Sequence, residues 1–181
     1  MGASKDFVDS RSDACVICVK PKEVFLLLDE LLDVVKERVS EAFLALGIQT
    51  FEIADLNERR EPRASAYARV GIVQTGHTDQ TVSSDMLQVA IQVFMALPIF
   101  AGHSPQQTQF KAARALHEAI FGPTYEKTIV QLSECEAYLI PVTRTTFLTD
   151  LEMELMQDSP TMTCLNLIMQ AEIPLSGRVY I

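Results

Sequence analysis

The first long pattern along the chain is helical. Val24, Leu28, Leu31, Val35, Val39, Ala42 and Leu46 recur at spacings of three and four, which places them on one stripe of a helix. Pro21 stands before this run and Gly47 after it, as start and stop signals do. The pattern predicts a helix from Lys22 to Leu46, about seven turns long. Phe25, Leu27, Leu32 and Phe43 widen the apolar arc. A helix apolar on more than one side is covered on more than one side, either as a central core helix or as one shared with another subunit.

Patterns of period two follow. "IQTFEIADL" predicts a strand from about Ile48 to Asp55, because Thr50, Phe51 and Ile53 favour extended chain. "NERREPRAS" is a polar loop carrying Arg59, Arg60 and Arg63. "AYARVGIVQTG" predicts a strand with Val70 and Ile72 on one face and Gly71 and Val73 on the other, and "HTDQTVSSD" a turn-rich connection of a long hairpin. "DMLQVAIQVFMALPIF" would be apolar nearly all round as a helix. As a strand from Met86 to Leu97 it sets Leu87, Val89, Ile91, Val93, Met95 and Leu97 on one apolar face, with Gln88, Ala90, Gln92 and Phe94 opposite. Pro98, with no N–H to give, should stop its ladder. The odd-numbered face is expected to be core. The even-numbered face is expected to be only partly wet.

"HSPQQTQFKAARALHEAIFGP" predicts a second helix. Ser104 is a natural N-cap, Pro105 takes the first helical position, Gln107 completes a capping box and Gly122–Pro123 ends the run. Phe110, Ala113, Leu116 with His117, and Ile120 form its expected stripe. "TYEKTIVQLSE" is ambiguous. The end of the chain reads as a hairpin: "CEAYLIPVTRTTFLTDLEMELM", a "QDSPT" turn, then "MTCLNLIMQAEIPL", where Leu165, Leu167, Met169, Ala171 and Ile173 share a face opposite Cys164, Asn166, Ile168, Gln170 and Glu172. The order helix, three strands, helix, two strands predicts an α+β fold: a mainly antiparallel sheet with two amphipathic helices packed on one face. The organisation expected is an N-terminal arm (1–21), one domain (22–175) and a short C-terminal tail (176–181).

Composition narrows the function classes. At 181 residues and 48% apolar content the chain suffices for one well-packed domain. The net charge is −9. Affinity for duplex nucleic acid comes largely from neutralising phosphates, so direct sequence-specific nucleic-acid binding is not expected. The polar start "MGASKDFVDSRSD" lacks the apolar core of a secretion signal, and no run reaches the roughly 18 apolar residues of a membrane span. The expected compartment is reducing, such as a cytoplasm.

Motifs of chemistry are sparse. "CVIC", Cys15 and Cys18, has no second close Cys or His pair for zinc and no helix N-terminus to activate a thiolate. Buried or semi-buried free thiols are the expected role for the four cysteines. His117 lacks a ligand at helical spacing. "HTD" at His77–Asp79 could pair a base with a carboxylate, but in a polar turn with no nucleophile. Asp150, Glu152, Glu154 and Asp158 form an acidic row, read as a solvated or partner-facing surface ahead of a metal site. There is no phosphate loop, GxSxG or HExxH. No catalytic, cofactor-binding or metal-binding residue is expected, nor any cofactor, and the chain is expected not to be an enzyme.

One resemblance spans most of the chain, roughly Lys22 to Leu175. "EVFLLLDELLDVV", "YARVGIVQTG", "LQVAIQVFMAL", "FKAARALHEAIFG" and "TCLNLIMQAEIPL" follow one another in an order of elements similar to the tail terminator (tail completion) proteins of long-tailed bacteriophages. The arm with "CVIC" and the segment Thr124 to Pro141 depart from that pattern. The resemblance implies a structural virion protein near the head–tail junction, assembled in the host cytoplasm. Such a protein forms a ring, usually a hexamer, that caps the tail tube, stops its polymerisation and offers a surface to a head-side connector or neck protein. The implied partners are therefore other copies of the chain, the tail-tube protein and the connector, with no membrane. Arg59, Arg60 and Arg63, with Gln88 and Gln92, are the interface candidates, and the loops Leu56 to Ser65 and Gly76 to Asp85 are candidates for neighbour or tube contact. Two alternatives stay open: another neck, connector or baseplate-proximal virion protein, and a small α+β enzyme or ligand-binding domain without a recognisable motif.

Overall fold

The computed structural model of the chain describes residues 21–81, 84–147 and 161–175. The arm with Cys15 and Cys18, the acidic row Asp150–Asp158 and the tail after Leu175 lie outside the described residues. Eight elements follow in chain order: α1 (Pro21–Ala45), β1 (Glu52–Asp55), β2 (Tyr67–Thr81), β3 (Ser84–Pro98), α2 (Pro105–Phe121), β4 (Ile129–Gln131), β5 (Glu136–Phe147) and β6 (Met162–Leu175). The six strands make one sheet in the order β1-β2-β3-β6-β5-β4. Every neighbouring pair is antiparallel except β1 and β2. The fold is α+β, as the periodicity predicts.

The centre of the sheet is β3 against β6, in unbroken register from Asp85–Leu175 to Pro98–Met162. Leu87, Val89, Ile91, Val93, Met95 and Leu97 are all buried, and so are their partners Ile173, Ala171, Met169, Leu167, Leu165 and Thr163. Both helices lay their apolar stripes on this face: Leu27, Leu31, Val35, Val39, Ala42 and Phe43 from α1, and Ala112, Leu116, Ile120 and Phe121 from α2, form one cluster with the odd-numbered strand residues. Alternation in the strands and a spacing of three and four in the helices thus meet in one core.

The termini of the helices follow their sequence signals. Gly47 adopts φ 78°, and the Ile48 N–H bonds back to the Phe43 carbonyl. This turns the chain so that Phe51 stacks on Phe43 at 4.8 Å. At α2 the Ser104–Gln107 capping box is present on both sides, satisfying two otherwise orphaned donors. Arg38 of α1 is half-buried and donates to the carbonyls of Ile120 (2.6 Å) and Lys127 (2.7 Å). It ties the end of α2 and the following turn to α1. Glu41 beside it holds Lys127 at 2.7 Å.

Several expectations need correction. The segment His77 to Thr81 is strand, not turn, pairing with Leu87 to Ser84. Threonines at 75, 78 and 81 are β-branched and suit an extended chain once β3 lies alongside. Gly76 to Thr81 and Ser84 to Asp85 therefore belong to the two strands of a long hairpin, and "HTD" lies within β2. Pro98 closes β3 as its last residue, partnered by Met162. The strand expected from Ile48 is only four residues long, because the turn after Gly47 occupies its first part. Of the predicted α2 stripe, Leu116 and Ile120 are buried and Ala113 packs against the core, while Phe110 is not part of it; Thr108, Gln109, Ala112, Ala119 and Phe121 complete the buried side. Phe110 is 52% exposed and meets Phe147 edge-on at 5.3 Å. The ambiguous "TYEKTIVQLSE" yields the short edge strand β4. In α1, Leu27 and Phe43 are buried within this chain and Leu32 packs against its core, which leaves Phe25 outside.

Candidate functional site

Two surfaces remain once the core is closed, and they lie on opposite sides of the molecule. The first is the face of the sheet away from the helices. Residues directly opposite across antiparallel strands share a face, so Arg69, Phe94 and Asn166 form one such row, and Gln88 with Glu172 another. Gln88 and Gln170 are exposed, while Ala90, Gln92, Phe94, Asn166 and Ile168 are half-buried. The Gln92 Nε2 donates to the Asn166 Oδ1 at 2.9 Å and the Gln88 Nε2 to the Glu172 Oε1 at 3.3 Å. Both candidate glutamines therefore have cross-strand acceptors within their own sheet. This face is polar at its centre, with Tyr138 and Ile129 standing exposed near the β4 edge. At its other end Ala96 and Cys164 are buried beside Tyr67. Burial pushes the Cys164 thiol up to about 11, so it is a neutral packing group and not a nucleophile.

The loop between β1 and β2 lies over this same face. An atom at the Cβ position of Gly71 would sit 2.6 Å from the Cβ of Leu56, so Gly71 leaves room for the chain to cross the sheet there. Arg69 points to this face and donates to the backbone carbonyls of Glu58 and Arg60, the latter at 2.9 Å. Glu52 completes the arrangement: it accepts from the Arg60 guanidinium and from the Arg63 backbone N–H, each at 3.0 Å. The three candidate arginines are thus brought together in a pinned loop, but in different roles. Arg60 holds the loop. Arg59 and Arg63 are exposed, and among the described residues neither side chain has a bonded partner. Sequence reasoning missed Arg69, Glu52 and the Gly71–Leu56 crossing. The available signal was an arginine in mid-strand on the polar face of "AYARV".

The second surface is the outer side of α1. At 100° per residue, Leu26, Asp33, Glu37 and Leu44 fall on one line, with Asp29 and Glu41 beside it. All six are exposed, Leu26 by 55% and Leu44 by 57%. Asp29, Asp33, Glu37 and Glu41 repeat every four residues, which stacks like charges on adjacent turns. Lys36 relieves one flank by bridging Asp55 at 2.7 Å and Asp33 at 3.9 Å. On the other flank Glu30 accepts the Ser133 N–H at 2.8 Å, and these bonds to Ser133 hold its carboxyl below the ordinary range.

Among the described residues no three His, Cys, Asp or Glu side chains are placed to hold a metal ion, and no helix is long and apolar enough to cross a membrane. No protein-family profile matches the chain, and no curated protein does. Among solved structures, a chain of one described as "Virion of native gene transfer agent (GTA) particle" is 15% identical, with a TM-score of 0.48 over 80% of this chain and 94% of that one. Another is 14% identical with a TM-score of 0.48, over 84% of this chain and 96% of the other.

Proposed function

We propose that the chain is a non-enzymatic structural protein of a virion, and specifically a tail terminator. In this reading copies of the chain close into a ring, a hexamer by analogy with the family it resembles. The ring caps the tail tube, halts its growth and presents a surface to a head-side connector.

One observation carries the reading: the open face of the sheet and the outer side of α1 are unlike, exposed surfaces on opposite sides of the fold. A closed ring needs heterologous contacts, in which one patch of a subunit meets a different patch of the next. The half-covered even face of β3 and β6, predicted from Gln88 and Gln92, supports it further. Had that face been buried inside the chain, the strongest sequence argument for assembly would have gone with it.

The test is native mass measurement and electron microscopy of the purified protein, alone and mixed with tail tubes. Closed rings, free or on tube ends, together with arrested tube growth, are expected. A stable monomer indifferent to tubes overturns the proposal and turns attention to the enzyme or ligand-binding alternative.

A further inference from the structure

We propose that the outer face of α1 is one half of the contact between copies, and that the Arg59–Arg63 loop of the next copy is the other half. This deepens the ring reading and rests on it.

Three observations lead here. The acidic row costs the helix: like charges four residues apart oppose helix formation, yet Asp29, Asp33 and Glu37 stand exposed and, among the described residues, Asp29 and Glu37 have no basic side chain bonded to them. A bound basic group would offset that repulsion. The row is also bracketed by exposed Leu26 and Leu44 on the same line, about 27 Å apart at 1.5 Å per residue. Covering Leu26 and Leu44 in a contact would add apolar burial to the pairing of charges. Finally, a chain of net charge −9 carries three arginines against two glutamates in residues 58–63, in a loop that Arg69 and Glu52 hold in place so that Arg59 and Arg63 stay exposed. A pre-ordered loop loses little further freedom when it docks.

The placement sets the mode of assembly. The helices cover the odd-numbered face, and the arginine loop lies over the even-numbered one. Two copies related by a two-fold axis through either surface would set like charges against each other, which is unfavourable. Head-to-tail contact sets Arg59 and Arg63 of one copy against Asp33 and Glu37 of the next, with Leu26 and Leu44 flanking. That is the polarity a ring requires. The partner is thus a second copy of this chain, chosen by charge and oriented by it.

The experiment is sedimentation of the full-length chain over a range of concentrations at low and high salt. It compares wild type, Arg59→Glu with Arg63→Glu, Asp33→Lys with Glu37→Lys, and the chain carrying all four changes. These side chains are exposed, so circular dichroism should match wild type, and urea midpoints should stay at wild type or, for Asp33→Lys with Glu37→Lys, rise slightly as the repulsion along α1 is relieved. Each reversed pair should weaken self-association by on the order of 10–100-fold, and high salt should weaken the wild type. The four-fold swap should restore it, since the carboxylates introduced into the loop of one copy again meet opposite charge, the ammonium groups introduced on α1 of the next. Two results overturn the contact: reversed variants that associate as well as wild type, or a four-fold swap that stays dissociated. A wild-type chain that stays monomeric at low salt overturns it too. The tube-capping assay separates the two readings. Capping that survives both reversals removes this contact and leaves the ring, whereas wild type that never caps removes both.

Discussion

The two faces of the sheet are built from the same strands and behave as different materials. On the helix side, β3 and β6 offer an unbroken aliphatic row under α1 and α2, with every odd-numbered side chain from Leu87 to Leu97 buried. On the other side the same strands offer glutamine, asparagine and glutamate in cross-strand pairs, with a pinned loop over one end. The first face stabilises the fold. The second is satisfied on its own and still open, so it can meet another surface without the fold depending on it.

That contrast can be broken by experiment, and the largest effect should come from the covered face. Ile91→Ala should lower the unfolding free energy by about 3–4 kcal/mol, read from the urea midpoint, because it leaves a cavity in close-packed surroundings. Phe94→Ala, three residues on and facing the other way, should cost only about half as much despite the larger side chain, since Phe94 is half-buried. Equal losses would show that the open face is core after all. Arg38→Met comes next. It orphans two carbonyls, of Ile120 and Lys127, and should cost about 2–3 kcal/mol, at the level of hydrogen bonds to charged groups. Gly71→Ala should cost about 1–3 kcal/mol by forcing Leu56 away. Hydrogen exchange at the Arg63 amide should quicken in that variant while the core amides stay protected.

Smaller effects sharpen the picture of the open face. Gln92→Ala should cost about 1 kcal/mol, whereas replacing Gln92 and Asn166 together by valine should be nearly neutral, since neither partner is then stranded. Cys164 offers a pH test. Its thiol titrates near 11 in the folded chain and near 8.5 when unfolded. Between those values the unfolded chain has lost a proton that the folded chain keeps, so stability should fall as pH rises through that window. Cys164→Ser should flatten this alkaline slope in urea titrations at about pH 8 to 10.5.

Much of this was legible in the sequence because it is local. Alternation from Leu87 to Leu97 identified both the strand and its buried side, and Ser104, Pro105, Gln107 and Gly122 fixed both ends of α2. What could not be read depends on register between distant segments. In α2, Phe110 leaves the expected stripe and meets Phe147 of β5, a contact invisible from the helix alone. The turn expected after Gly76 is strand because β3 lies alongside it. At the candidate site, "ERREPR" announced a basic loop but not which arginine holds it. That division is made by Glu52 and Arg69, one on each flanking strand. Gln88 and Gln92 read as partner-facing from the sequence, and only the pairing of β3 and β6 gives them cross-strand acceptors.

The place of β6 carries a consequence in time. It is the final strand of the described chain, yet it sits in the middle of the sheet, between β3 and β5. Until it arrives, β3 has a bare edge, and α2 has only part of the floor it packs on. Pairings this distant in sequence form late and slowly, because the intervening chain must first be brought together. A nascent or truncated chain ending before Met162 therefore holds neither a finished core nor a level even-numbered face. Until β6 has been made, the sheet therefore lacks the strand that joins its β3 half to its β5 half.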